Sequence, residues 1–137
     1  MQFKELSGTL YHRTYIPSQA TLGTDDNWPL FQADSKMKVI SVSFVPSDAI
    51  TANATHYSVY TLTRYTAGAT ATSVATRSWA ATNSVAETPE AMTLSGTAAN
   101  LILAAADTLS MVKTHGGNGL VIPDGLLVIG FRYLGVS

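Results

Sequence analysis

The side chains with chemical potential in this sequence are three histidines, nine carboxylates and one glycine-rich turn. His12, His56 and His115 stand singly, none with a second ligand-type residue two to four positions on. A metal site needs three or four converging groups, so no metal and no cofactor is expected. A serine–histidine–aspartate relay, with His56 and Asp48 as its conceivable members, would need a strained Gly-x-Ser-x-Gly elbow to hold the nucleophile, and the sequence contains none. The neighbouring carboxylates Asp25 and Asp26, or Glu87 and Glu90, suggest an acid/base pair acting across a sugar. Adjacent residues of an extended chain point to opposite faces, so solvated loop charges are the simpler role. The run His115-Gly116-Gly117-Asn118-Gly119 lacks the Lys-Ser/Thr ending of a phosphate loop and precedes an extended segment where that loop feeds a helix. It reads as a turn whose glycines allow close backbone approach, which makes Gly116, Gly117 and Asn118 contact candidates. No catalytic residue is assigned, and the chain reads as a non-enzyme.

Chain length and composition narrow the scaffold on which such contacts sit. The 137 residues suit one domain, near the common size of roughly 100–150 residues. Hydrophobic residues make up 46% and charged residues only 12%, about half the roughly 25% charge content usual in soluble domains. Thr and Ala together supply about a quarter of the chain, so hydroxyls, not charges, must wet much of the surface. Eight basic residues against nine acidic ones leave a net charge of −1 and no basic run, which argues against nucleic acid as a partner. Without cysteine, neither a disulfide framework nor a thiolate metal site is available. MQFKELSGTL lacks the basic start and apolar run of a signal peptide, so export by that route is not expected and the chain reads as one made in a cytoplasm. The longest apolar stretch, Leu126 to Phe131, is far short of the roughly 20 residues that cross a bilayer, so no membrane partner is expected.

Hydrophobic periodicity points to strands. Lys38 to Val45 alternates, with Ile40, Val42 and Phe44 on one face and Val39, Ser41, Ser43 and Val45 on the other. Tyr57 to Tyr65 places Tyr60 and Leu62 opposite Tyr57, Val59 and Tyr65. Leu126 to Tyr133 sets Leu127, Ile129, Phe131 and Tyr133 against Leu126, Val128 and Arg132, as in a central strand. Turn chemistry separates these runs at Val45-Pro46-Ser47-Asp48, Thr66-Ala67-Gly68, Thr88-Pro89, Ser95-Gly96, the glycine cluster and Pro123-Asp124-Gly125. In the last of these, Gly125 is expected to supply a positive φ. Residues 97–106, TAANLILAAA, permit a short helix or a strand, and the alternation of Leu101 and Leu103 favours the strand. Residues 66–83 read as a wandering edge hairpin, a loop covering a neighbouring subunit, or a partly disordered stretch, with Val74 and Trp79 its only large apolar groups. Residues 1–36 read as an irregular N-terminal arm or lead-in segment and 37–137 as the sandwich domain. The predicted fold is all-β, an antiparallel, jelly-roll-like β-sandwich.

Three groups of residues carry a resemblance to a known class: VPSDAITANATHYSVYTL at 45–62, the Thr/Ala-rich run, and LILAAADTLSMVKTHGGNGLVIPDGLLVIGFRY at 101–133. The region 38–134 resembles the head decoration, cement and head-fibre subunits of tailed bacteriophages. It departs from their pattern at Ala106-Asp107, where a Gly-Asp pair is usual. The resemblance implies a virion protein on the capsid surface, a homotrimer that binds the major capsid protein and holds neighbouring capsid subunits together. The alternative is a carbohydrate- or host-receptor-binding module of a virion fibre, with Trp79 and exposed tyrosines stacking on sugars. As capsid or subunit contacts we select Tyr11, Tyr15, Trp28 and Phe31, because aromatic residues dominate interface energetics. Trp79 and the turn residues Gly116, Gly117 and Asn118 complete the set.

Overall fold

The computed structural model describes residues 8–66 and 70–134; the turn expected at Thr66-Ala67-Gly68 therefore lies outside the described residues. Among the described residues, ten strands form two antiparallel sheets: β1 (Leu10–Ile16), β2 (Asp26–Gln32), β3 (Met37–Pro46), β4 (Tyr57–Thr66), β5 (Thr70–Ser78), β6 (Glu90–Ala91), β7 (Thr93–Leu94), β8 (Ile102–Leu103), β9 (Thr108–Gly116) and β10 (Gly125–Tyr133). One sheet runs β1-β10-β3-β6, with β8 also on β3, and the other β2-β9-β4-β5-β7. The first strand thus pairs with the last and the second with the next to last, the nested order of a jelly roll. The sandwich predicted from the alternating segments is the fold found, and β10 is a central strand between β1 and β3.

Two expectations change. Within the expected arm, the described residues 8–36 are part of the sandwich, because β1 and β2 each close one of the two sheets. Their pattern hides this: β1 turns Leu10, His12 and Thr14 inward where an ordinary strand would turn three aliphatics. Within β3, the inward set is Met37, Val39, Val42 and Phe44, not Ile40, Val42 and Phe44. Ile40 is the extra residue of a bulge opposite Gly130 and Phe131, and one inserted residue reverses which parity faces the core. The Ala/Leu stretch resolves into a single 3-10 turn, Ala98–Leu101, followed at once by β8. The Thr/Ala-rich run is β5, hydrogen-bonded along most of its length to β4.

Between the sheets, Phe44 from β3, Tyr60 from β4 and Trp79 just past β5 meet edge to face, with ring centroids 5.1–6.1 Å apart. All three are fully buried. Trp79 is further fixed by its Nε1–H, which donates to Ser84 Oγ at 2.7 Å, and by the Arg77 guanidinium 4.9 Å above its ring. Ser84 donates in turn to Glu90, which pairs with Arg77 at 3.1 Å. The Tyr60 hydroxyl has no partner among the described residues, and burial, reinforced by Asp26, pushes its pKa above the usual value.

Turn chemistry supplies two further findings. Gly125 does not adopt the positive φ expected of it. Its requirement is space: a Cβ there would lie 2.5 Å from the Val45 carbonyl and 2.7 Å from the Phe44 ring. Ala106, by contrast, does adopt φ 75°, in a turn clipped to Ala33 by two backbone hydrogen bonds of 2.8 Å and closed where the buried Asp107 carboxylate accepts from Ala104 N–H. The left-handed geometry that suits Gly-Asp is kept with an alanine in it, at a cost of about 1–2 kcal/mol. Ala106→Gly should therefore gain about 0.5–1 kcal/mol after the greater chain entropy of glycine is subtracted. Tyr60→Phe, which removes an unpaired buried hydroxyl, should gain about 1 kcal/mol. Denaturant unfolding of both variants checks this: a loss of stability in the first would mean that Ala106 is unstrained, and in the second that the hydroxyl has a partner.

Candidate interaction surface

The register of β1, β10 and β3 determines which side chains stand together on the outside of their sheet. Tyr15, Leu126 and Val45 form one row, Arg13, Val128 and Ser43 the next, and Tyr11, Gly130 and Ser41 a third; past the bulge, Arg132 stands beside Lys38. Tyr11 is 55% exposed, Tyr15 62% and Leu126 39%. They are three of the six large apolar side chains exposed among the described residues, and they share this face. Gly130 lets the Tyr11 ring lie across β10, since a Cβ there would come within 3.3 Å of it, and Arg13 caps that ring at 5.5 Å.

At the lower end of the face, Tyr15 donates its hydroxyl to Asp124 at 3.1 Å and Ser47 donates at 2.6 Å. These bonds, that from Ser47 first, hold the Asp124 carboxyl below the usual carboxylate range. The same contact raises the Tyr15 phenol. Tyr15 is thus an oriented aromatic side chain, restrained before any partner arrives.

A second feature lies at the loop end of the sandwich. A depression of about 480 Å³ is lined by Leu22, Ile50, Asn53, His56, Asn118 and Val121 among others. His56 Nδ1 accepts the Asn118 backbone N–H at 2.9 Å, and Asn53 Oδ1 accepts from Thr55 and His56. Gly117, at φ 59°, sits tight against the Thr55 carbonyl, which makes glycine obligatory there. Of the glycine-cluster candidates, Gly117 and Asn118 are exposed and Gly116 is half-buried against the Tyr57 ring.

The remaining selected residues fall elsewhere. Trp79 is in the core and is removed from the contact set; with no exposed ring, it stacks on no sugar. Trp28 and Phe31 are half-buried against the core, Trp28 with its edge to Tyr60 and Phe31 beside His12. Trp28 therefore belongs to the packing first, and Trp28→Ala would disturb the fold as well as any attachment. The three histidines are apart: His12 on Phe31, His56 on the β9–β10 turn, and His115 on Asp25 at 2.6 Å. Among the described residues, no three side chains gather in a metal-binding group, and no helix is long and apolar enough to cross a membrane. Lys113, unnoticed in the sequence, is buried, with Nζ donating to the Thr24 carbonyl at 2.8 Å. Burial lowers its pKa, against the opposing pull of Asp25 and Asp26. Arg13 and Leu126 were also missed, although the i, i+2, i+4 spacing of Tyr11, Arg13 and Tyr15 would have placed Arg13 on the tyrosine face had β1 been read as a strand.

No protein-family model matches the chain, and no curated protein or solved structure matches it either.

The Asp124 contacts carry a pH signature. A carboxyl lowered by folding contributes stability that is complete above its unfolded pKa, about 3.9, and lost as pH falls through the folded value. Between about pH 4 and pH 2 the native chain should lose stability more steeply than Asp124→Asn, as thermal melts over that range would show. Parallel profiles would mean that the Ser47 and Tyr15 bonds do not persist in solution.

Proposed function

We propose that this protein works by attachment, not catalysis: it is a capsid decoration or cement subunit of a tailed bacteriophage, bound to the head through the outer face of β1, β10 and β3. The observation that carries the reading is the set of Tyr11, Tyr15 and Leu126, exposed together on one sheet face with Val45 and Val128 beside Leu126. A group of exposed apolar side chains on one face marks an interaction site on a soluble domain. Aromatics flanked by an arginine are the composition of interface hot spots. The resemblance of residues 38–134 to head decoration proteins supplies the identity of the partner, the major capsid protein, and the trimeric state. The mechanism is area burial repeated at several capsid edges at once, since linked contacts hold far more firmly than one alone. Low charge and a threonine-rich surface suit such seating.

The depression at the loop end favours a second reading, a carbohydrate- or receptor-binding module, because it combines apolar Leu22 and Val121 with the amides and imidazole of Asn53, Asn118 and His56. That reading requires sugar to perturb the loop end, not the sheet face.

The first reading is tested by light scattering of the purified chain, alone and then with heads assembled without it. A trimer that saturates the shells and raises their melting temperature is expected. A monomer indifferent to heads would sink the proposal. Replacing both Tyr11 and Tyr15 with Ser should weaken attachment by roughly tenfold or more while the isolated chain stays folded.

A further inference from the structure

A sandwich has strand edges, and this one leaves them unequally protected. We propose that the free edge of β1 is a strand-addition site for an extended, acidic segment of a partner protein. The inference rests on the attachment reading above and specifies its mode.

The outer edge of β3 is covered along its length: β8 pairs at Met37 and Lys38, the Met92 N–H reaches the Val42 carbonyl, β6 pairs at Ser43 and Phe44, and the Glu87 N–H reaches Pro46. β5 carries a bulge at Val74 and is closed at Ala75 and Thr76 by β7. β2 is blunted by Pro29, which has no N–H to offer, and by a register break between Pro29 and Phe31. β1 has none of these devices. Its seven residues keep unbroken register with β10, contain no proline, and have no strand on the other side among the described residues. Alternate backbone N–H and C=O groups along it are thus left facing outward, the template used in strand addition.

The occupant follows from charge. Of the cations among the described residues, Arg64 is spent on the Ala99 and Ile102 carbonyls, Arg77 on Glu90, and Lys113 in the interior. Those left for the surface are Arg13, Lys36, Lys38 and Arg132, and three of them stand on the outer face of the β1 sheet. β1, β3 and β10 carry no carboxylate, and Asp124, at the far end of the face, is already held by Ser47 and Tyr15. A chain of net charge −1 therefore presents a positive sheet face. Arg13 occupies the middle of β1, so full-length antiparallel pairing with a second copy would set Arg13 against its own counterpart, a like-charge pair that opposes the contact. A strand with a carboxylate at its centre and apolar residues two positions to either side meets Arg13, Tyr11 and Tyr15 in register.

The probe is the blocked peptide Thr-Val-Thr-Asp-Thr-Val-Thr, added to the full chain and followed by amide-resolved NMR. Saturable binding is expected, with slowed exchange at alternate β1 amides, those turned away from β10. Arg13→Glu should weaken binding about tenfold, and a peptide with Lys in place of Asp should restore it to that variant. Arg13→Gln, which removes the charge without reversing it, is the second variant should Arg13→Glu fail to fold. Absence of binding, unchanged β1 exchange, or equal binding by the charge variants would overturn the proposal. So would dimerisation of the chain through β1 alone, or displacement of the peptide by a single-stranded oligonucleotide. Attachment to heads without protection of β1 would overturn strand addition alone, whereas peptide binding without attachment to heads would overturn only the capsid reading.

Discussion

The contact on which the architecture turns is the edge-to-face meeting of Phe44, Tyr60 and Trp79. Phe44 comes from one sheet and Tyr60 from the other, and Trp79 closes the gap between them. Large rings contribute buried area that no aliphatic residue equals, and their preferred geometry fixes the angle as well as the distance between layers. The unpaired Tyr60 hydroxyl shows that packing prevails over hydrogen bonding here. Gly125 belongs to the same constraint, because the start of β10 passes directly over the Phe44 ring.

Given that core, the nested pairing decides which surface residues become neighbours. β1 and β10 are as far apart in sequence as two strands of the chain can be, yet they lie side by side. Tyr11 and Tyr15 acquire Leu126 and Val128 as companions only through this closure. The apolar character of the outer face is therefore a property of topology, and so is its positive charge.

The alternation that was legible was that of strands with a single uninterrupted period. β10 reads correctly because no bulge interrupts the sequence between Leu126 and Tyr133, and β4 because Tyr60 and Leu62 lie inward as their spacing implies. β3 misleads at Ile40, since a bulge is a tertiary event with no signature in hydrophobic period. β1 and β2 escape because His12 and Thr14 fill inward positions and Pro29 interrupts. Trp79 reads as a surface residue because its neighbours in sequence are small and hydroxylated; the polar groups that fix it, Arg77 and Ser84, and Glu90 behind them look in the sequence like solvated residues. Residue type alone singles out Tyr11 and Tyr15, which stand exposed on one sheet face. It does not single out Arg13, Lys38 and Arg132, because their shared face exists only after three strands have paired.

The segment from Ser84 to Leu103 is fastened differently from the rest. It contributes three strands of two residues each and one 3-10 turn, and it is held by the Arg77–Glu90 pair with Ser84 between and by the backbone bonds of Glu87, Met92 and Ser95. Short ladders open at lower free energy than the long strands they cover, so the molecule has a hierarchy of openings and not a single one. An opening confined to this segment would leave β10 and β3 paired and uncover the edge of β3 that it masks. That second edge is shut in the native state by β6, β8, the Met92 and Glu87 amides and the buried Leu103, with one guanidinium and one carboxylate fastening the segment to β5.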